Sequence, residues 1–96
     1  MTPEGKVKKR VTSILKAAGA YYFSPVTGGF GRSGVPDIVC CLNGRFIGIE
    51  CKAGTNKPTT LQVKNLKEIG YAGGFAFVVN EDNLDSLERV LKAMRG

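Results

Sequence analysis

Three side chains have the types and spacing for hydrolytic chemistry: Asp37, Glu50 and Lys52, arranged around the dipeptide Asn43-Gly44. Two apolar, β-branched runs, Val35 to Leu42 and Arg45 to Lys52, flank that dipeptide. Asn-Gly between such runs predicts a hairpin, because both turn positions take positive φ. A two-residue turn sets Leu42 opposite Arg45 and, counting outward, Asp37 opposite Glu50. Alternation then places Asp37, Val39, Cys41, Phe46, Gly48, Glu50 and Lys52 on one face. Ile38, Cys40, Leu42, Ile47, Ile49 and Cys51 form the other, a core face. Directly opposed like charges cost some tenths of a kcal/mol to about 1 kcal/mol. Packing alone gives no reason for them.

A divalent cation reverses the sign of that interaction, since two neighbouring carboxylates are hard oxygen ligands suited to Mg²⁺ or Mn²⁺. Lys52, on the same face, adds a positive charge where a phosphate oxygen or an attacking water would sit. Gly48 between them removes side-chain bulk and is expected to let a substrate backbone approach. The competing reading is a surface hairpin with a Glu50–Lys52 ion pair and a solvated Asp37. It does not account for the basic surround.

That surround is lopsided. The chain has 96 residues, with fourteen Lys+Arg against eight Asp+Glu, a net +6 that suits a polyanionic partner. Residues 1–67 carry eleven basic and only three acidic side chains, and those three are Glu4, Asp37 and Glu50. A 43% hydrophobic content fits one folded domain, and no apolar run approaches the ~20 residues of a membrane span. The N-terminus carries Lys6, Lys8, Lys9 and Arg10 where a signal peptide has its apolar core. Three cysteines without such a signal suggest a reducing compartment, and the absence of histidine removes His-dependent mechanisms.

The elements that must position the acids follow from periodicity. Thr2, Pro3 and Glu4 open a helix whose stripe is Val7, Val11, Ile14, Leu15 and Ala18, and Gly19 ends it. Ala20 to Ser24 reads as a short strand, followed by the glycine-rich stretch Gly28 to Gly34. After the hairpin a helix is expected from about Thr59 to Gly70, with Leu66 and Ile69 on its buried side. Phe75 to Asn80 reads as a strand, and a last helix from about Asp82 to Met94 carries Leu84, Leu87, Val90, Leu91 and Met94 on one face. The expected order is α-β-β-β-α-β-α, one α/β domain over residues 1–96 with four strands flanked by helices.

Gly34-Val35-Pro36-Asp37 followed by Glu50-Cys51-Lys52 resembles the PD-(D/E)xK nuclease superfamily. With Glu4 on the leading helix, the approach Gly31-Arg32-Ser33-Gly34, and Gln62 on the following helix, the chain resembles more closely its VRR-Nuc (virus-type replication-repair nuclease) domains. The small stand-alone phage form is nearest in size. The resemblance implies a restriction-endonuclease-like core with a mixed sheet and a metal-dependent phosphodiesterase acting on DNA. Asp37, Glu50 and Glu4 would be metal ligands, joined by the Cys51 backbone carbonyl. Lys52 would assist catalysis, and Gln62 would position water or substrate. One or two Mg²⁺ or Mn²⁺ ions would serve, with no organic cofactor. It also implies a homodimer acting on branched DNA such as four-way junctions, in the host cytoplasm for a phage-encoded member. A non-catalytic DNA-binding module that keeps the fold, and a junction nuclease of the archaeal resolvase type, stay open as alternatives.

The glycine stretch has no Walker or dinucleotide pattern, because no Gly-Lys-Ser/Thr follows and it leads into a strand. It reads either as a plain loop or as a DNA contact, with Arg32 and Ser33 at phosphates or a groove and Phe30 as a stacking wedge. Lys6, Lys9, Arg10, Lys57 and Lys64 are further DNA-contact candidates; solvated surface is the alternative for each. Cys40 and Cys51 are expected in the core and Cys41 partly exposed, with no zinc constellation among them.

Overall fold

The computed structural model describes residues 1–26 and 31–95. Helix α1 (Pro3–Ala18) starts where Thr2 accepts a hydrogen bond from the Gly5 N–H and stops at Gly19, whose φ of 80° is left-handed. Strand β1 (Tyr21–Phe23) follows, then the hairpin β2 (Ile38–Leu42) and β3 (Arg45–Cys51), helix α2 (Thr60–Tyr71), strand β4 (Phe75–Val79) and helix α3 (Leu84–Arg95). The order matches the sequence expectation. Strand β2 is shorter than the apolar run, since Pro36 donates no backbone hydrogen bond and pairing begins only at Ile38. Helix α3 starts at Leu84 rather than Asp82. The Asn83 carbonyl accepts from the Leu87 N–H, and Asn83 Oδ1 accepts from the Asn80 N–H, so the turn before it is occupied by the cap.

The strands lie in the order β1-β2-β3-β4, antiparallel except for the parallel pair β3 and β4 that α2 connects. Leu42 faces Arg45 and Ile38 faces Ile49, which is the register counted from Asn43-Gly44. One sheet face is sealed. Val7, Val11 and Leu15 of α1 and Leu84, Leu87, Leu91 and Met94 of α3 bury Ile38, Cys40, Leu42, Ile47, Ile49 and Cys51. Helix α2 covers the opposite face only in part, leaving Tyr21, Phe23, Cys41 and Phe46 exposed.

Gly48 is where α2 seats on the sheet. A Cβ there would lie 2.6 Å from Ile69 Cδ1 and 3.0 Å from Pro36 Cγ. This corrects the expectation that Gly48 admits a substrate backbone, because the space its missing side chain leaves is filled by α2. The buried anchor of α2 is also not the Leu66 and Ile69 pair, which are half-buried, but Asn65. Asn65 Nδ2 donates to the Ser33 carbonyl at 3.2 Å and to the Leu61 carbonyl at 3.0 Å. Beside it Gly34, at φ 75°, has no room for a Cβ, which would lie 2.6 Å from Leu61 Cγ. The segment that delivers Asp37 is therefore clamped to α2 just before the sheet begins.

Candidate active site

The site forms where three elements end together: the start of β2, the end of β3 and the first turn of α1. Carboxylate oxygens of Glu4, Asp37 and Glu50 all lie within 4.8 Å of one another. Asp37 precedes β2 by one residue, and its Oδ2 accepts the Cys51 N–H at 2.8 Å. That bond fixes the side chain against the neighbouring strand and leaves Oδ1 available. Glu4 arrives from α1, whose cap and Pro3 set where the helix begins. Lys52 Nζ is 3.1 Å from Glu50 Oε2 and 3.6 Å from Glu4 Oε1.

Glu50 is the unusual member. It is 1% exposed, and neither of its oxygens receives a well-directed hydrogen bond; Lys52 supplies an ion contact to Oε2 only. Unpaired buried carboxylate oxygens are costly. Burial pushes the Glu50 carboxyl above its ordinary pKa and Asp37 pushes it further, with Lys52 opposing both. Burial pulls the Lys52 ammonium down, but Glu50, Glu4 and Asp37 outweigh it, and its pKa is raised.

The donor set fits a divalent cation on two grounds. Three carboxylates against one ammonium leave two negative charges, and the buried Glu50 carboxylate, without a well-directed hydrogen bond, supplies hard oxygen donors to the cluster. Cys51 is wholly buried, its thiol pushed up to about 12, so only its backbone is available to the site.

The remaining sequence candidates are distributed unevenly. The Gln62 side-chain oxygen accepts the Thr59 N–H at 2.9 Å while Thr59 Oγ1 accepts the Gln62 N–H, a capping box that starts α2. Only the Gln62 amide NH₂ is left for another partner. The pattern Thr-x-x-Gln was readable in the sequence as this cap. Arg32 is ion-paired with Glu68 of α2, its Nη2 donating to Oε2 at 2.5 Å, rather than standing unengaged for DNA. The Ser33 carbonyl is taken by Asn65. Asn65 was missed at the sequence level; the available signal was a polar residue set one turn before Ile69 on the apolar side of α2. Lys57 and Lys64 are exposed, and Lys6, Lys9 and Arg10 are exposed and line one groove with Ser13, Glu81 and Leu84. Phe30 lies outside the described residues.

The fold and this acid-acid-lysine end define a restriction-endonuclease-like α/β domain. A solved structure described as "VRR_NUC domain" aligns with a TM-score of 0.79 and 26% identity, covering 93% of this chain and 97% of the other. A second, a "VRR_NUC domain protein", shares the fold at a TM-score of 0.68 and 17% identity over 92% and 86% of the two chains. In sequence the chain is 32% identical over 85 residues to "Putative nuclease p44" of Acyrthosiphon pisum secondary endosymbiont phage 1, covering 88% of this chain and 89% of that protein. No family model matches the chain. On the sequence relative and the shared fold, this chain belongs to the VRR-Nuc family.

Proposed function

We propose that this chain is a metal-dependent DNA endonuclease that hydrolyses phosphodiester bonds, selective for branched DNA. The observation that carries the catalytic part is Glu50, buried with no well-directed hydrogen bond and only Lys52 in ion contact with Oε2, beside Asp37 and Glu4. A non-catalytic binding module has no reason to bear that cost. Relatives named for a VRR-Nuc domain and for a nuclease support the reaction class. The net +6, concentrated in residues 1–67, supports a nucleic-acid substrate.

Glu4, Asp37, Glu50 and the Cys51 carbonyl would hold Mg²⁺ or Mn²⁺, which when bound supplies Lewis acidity at phosphate and a more acidic water. The chain's own residues do the rest. The Cys51 N–H holds Asp37 in one rotamer, so the ligand oxygens are organised before substrate arrives. Lys52, raised in pKa and therefore charged at neutral pH, offsets negative charge building on the phosphate. The Gln62 amide, held by the α2 cap, is available to orient water or a phosphate oxygen.

A homodimer would present two such centres to a branched substrate. The exposed Tyr21, Phe23 and Phe46 on the uncovered part of the sheet face offer it an apolar surface. Among the described residues no helix is long and apolar enough to cross a membrane. For a phage-encoded member of the family the DNA substrate would lie in the host cytoplasm. The test is cleavage of four-way junction, flap and linear duplex DNA with EDTA, Mg²⁺ or Mn²⁺, alongside sedimentation. Metal-dependent cutting of the junction that disappears in Asp37→Asn and Lys52→Ala is expected. Cutting that survives both substitutions overturns the site assignment, binding without cutting leaves only the module, and a sedimenting monomer removes the dimer.

A further inference from the structure

The five cations of α1 do not all face the same way. On a helix, residues four apart share a face, so Lys8 stands one turn along from Glu4, flanking the buried stripe Val7, Val11 and Leu15. Lys6, Arg10 and Ser13 fall on the far side and, with Lys9, border a groove of about 620 Å³ closed by Glu81 and Leu84. Lys8 is absent from that groove and is half-buried, whereas Lys6, Lys9 and Arg10 are exposed. Side chains on a helix lean toward its N-terminus. The long Lys8 chain therefore leans back toward the turn that carries Glu4 and the carboxylate cluster.

A further observation fits this direction. The Glu4 carboxylate, the natural i, i+4 partner of Lys8, is instead 3.6 Å from Lys52, and no carboxylate among the described residues lies within 4 Å of Lys8. Lys8 is thus a half-buried lysine on the Glu4 side of α1, with no carboxylate among the described residues within 4 Å. A lysine buries its stem and keeps its ammonium toward solvent, where a substrate anion can reach it.

We propose that Lys8 is a substrate-binding residue of the site, its ammonium taking a non-bridging oxygen of a DNA phosphate next to the one that is cut. This rests on the DNA-endonuclease reading. It separates Lys8 in role from Lys6, Lys9 and Arg10, which belong to a different side of the helix. The phosphate contact adds a positive charge beside the substrate without adding a ligand to the cation site, so metal binding is expected not to weaken on its loss.

The experiment compares Lys8→Ala, Lys8→Gln and Lys8→Arg with Lys92→Ala, a loss of the same charge from the exposed end of α3. Binding to junction DNA is measured in Ca²⁺, without cleavage, over a range of salt. Lys8→Ala and Lys8→Gln are expected to weaken binding about tenfold and to lower the slope of log K against log salt by about 1. Lys8→Arg is expected to restore most of both, and Lys92→Ala to change binding less than about twofold. Mn²⁺-induced thermal shifts should be no smaller than that of the wild type in all four. Slopes for Lys8→Ala and Lys8→Gln equal to that of Lys92→Ala, in proteins with wild-type melting curves, overturn the proposal. A wild type that binds but never cuts would remove the nuclease reading and leave the Lys8 contact to be decided by the same slopes.

Discussion

The two ends of the β2–β3 hairpin are built from opposite physics. At the turn, Asn43 Nδ2 and Arg45 Nη1 both donate to the Met94 carbonyl, at 3.0 and 3.2 Å, closing the end of α3 against the sheet. Asn43 and Gly44 take the positive φ values their turn requires. Polar groups there are exposed or paired. At the other end Glu50 is buried with no well-directed hydrogen bond, two more carboxylates crowd it, and one lysine partly neutralises them. One end lowers the free energy of the fold. The other carries the cost of a buried carboxylate and leaves an excess of negative charge. Such a local penalty inside a well-satisfied structure is what a chemical site looks like energetically.

The comparison breaks most sharply through cleavage. Glu50→Gln, nearly isosteric, should lower the single-turnover rate by about a hundredfold or more, while Arg45→Ala at the turn end should leave it within about twofold. Equal losses for both would mean that the hairpin acts only as scaffold.

Thermal unfolding sharpens it next. A cation that binds only the folded chain stabilises it by about 2.7 kcal/mol at a hundredfold excess over its Kd. Wild type and Arg45→Ala should show the Mn²⁺ shift, and Glu50→Gln should largely lose it. Without metal, the pH dependence carries the sign of the Glu50 penalty. The folded-state pKa of Glu50 lies above its ordinary 4.5, so the folded state binds more protons in that interval. Stability therefore falls as pH rises from about 4.5 through the raised value, and Glu50→Gln should flatten that fall. Lys52 adds a second fall of the same sign at the alkaline end: its stabilisation is full below 10.5 and is lost as pH rises through its raised pKa. A metal-free wild type whose stability rises with pH across the carboxylate range would contradict the Glu50 penalty.

The smallest effect belongs to the turn. Asn43→Ala removes a hydrogen bond to Met94 and places alanine at φ 52°, at a cost of about 1–2 kcal/mol in denaturant unfolding. Metal-dependent cleavage should be unchanged once the protein is folded. A change in rate at full folding would show that the two ends are coupled.

Much of this was legible before any coordinates. The Asn43-Gly44 turn forces the register, the register brings Asp37 to Glu50, and the alternation marks the core face, so the acid pair followed from counting. Glu4 joined them only through the family resemblance, because nothing local in the sequence says where α1 crosses the strand ends. Gly48 was misread for the same kind of reason. A glycine in a strand signals close approach, but not whether the approaching atoms are a substrate or Ile69 of α2. Asn65 and the Arg32–Glu68 pair were out of reach too, being contacts between segments more than thirty residues apart.

By itself, then, the sequence determined the elements, the hairpin register and the chemical types gathered at one end, since those depend on local turn geometry and on periods of 2 and 3.6 residues. Tertiary packing decided the rest: which helix covers which face and how deeply Glu50 is buried. Burial and direction are properties of three-dimensional neighbours, and the free-energy cost of an unpaired carboxylate exists only once the surrounding chain has displaced its water.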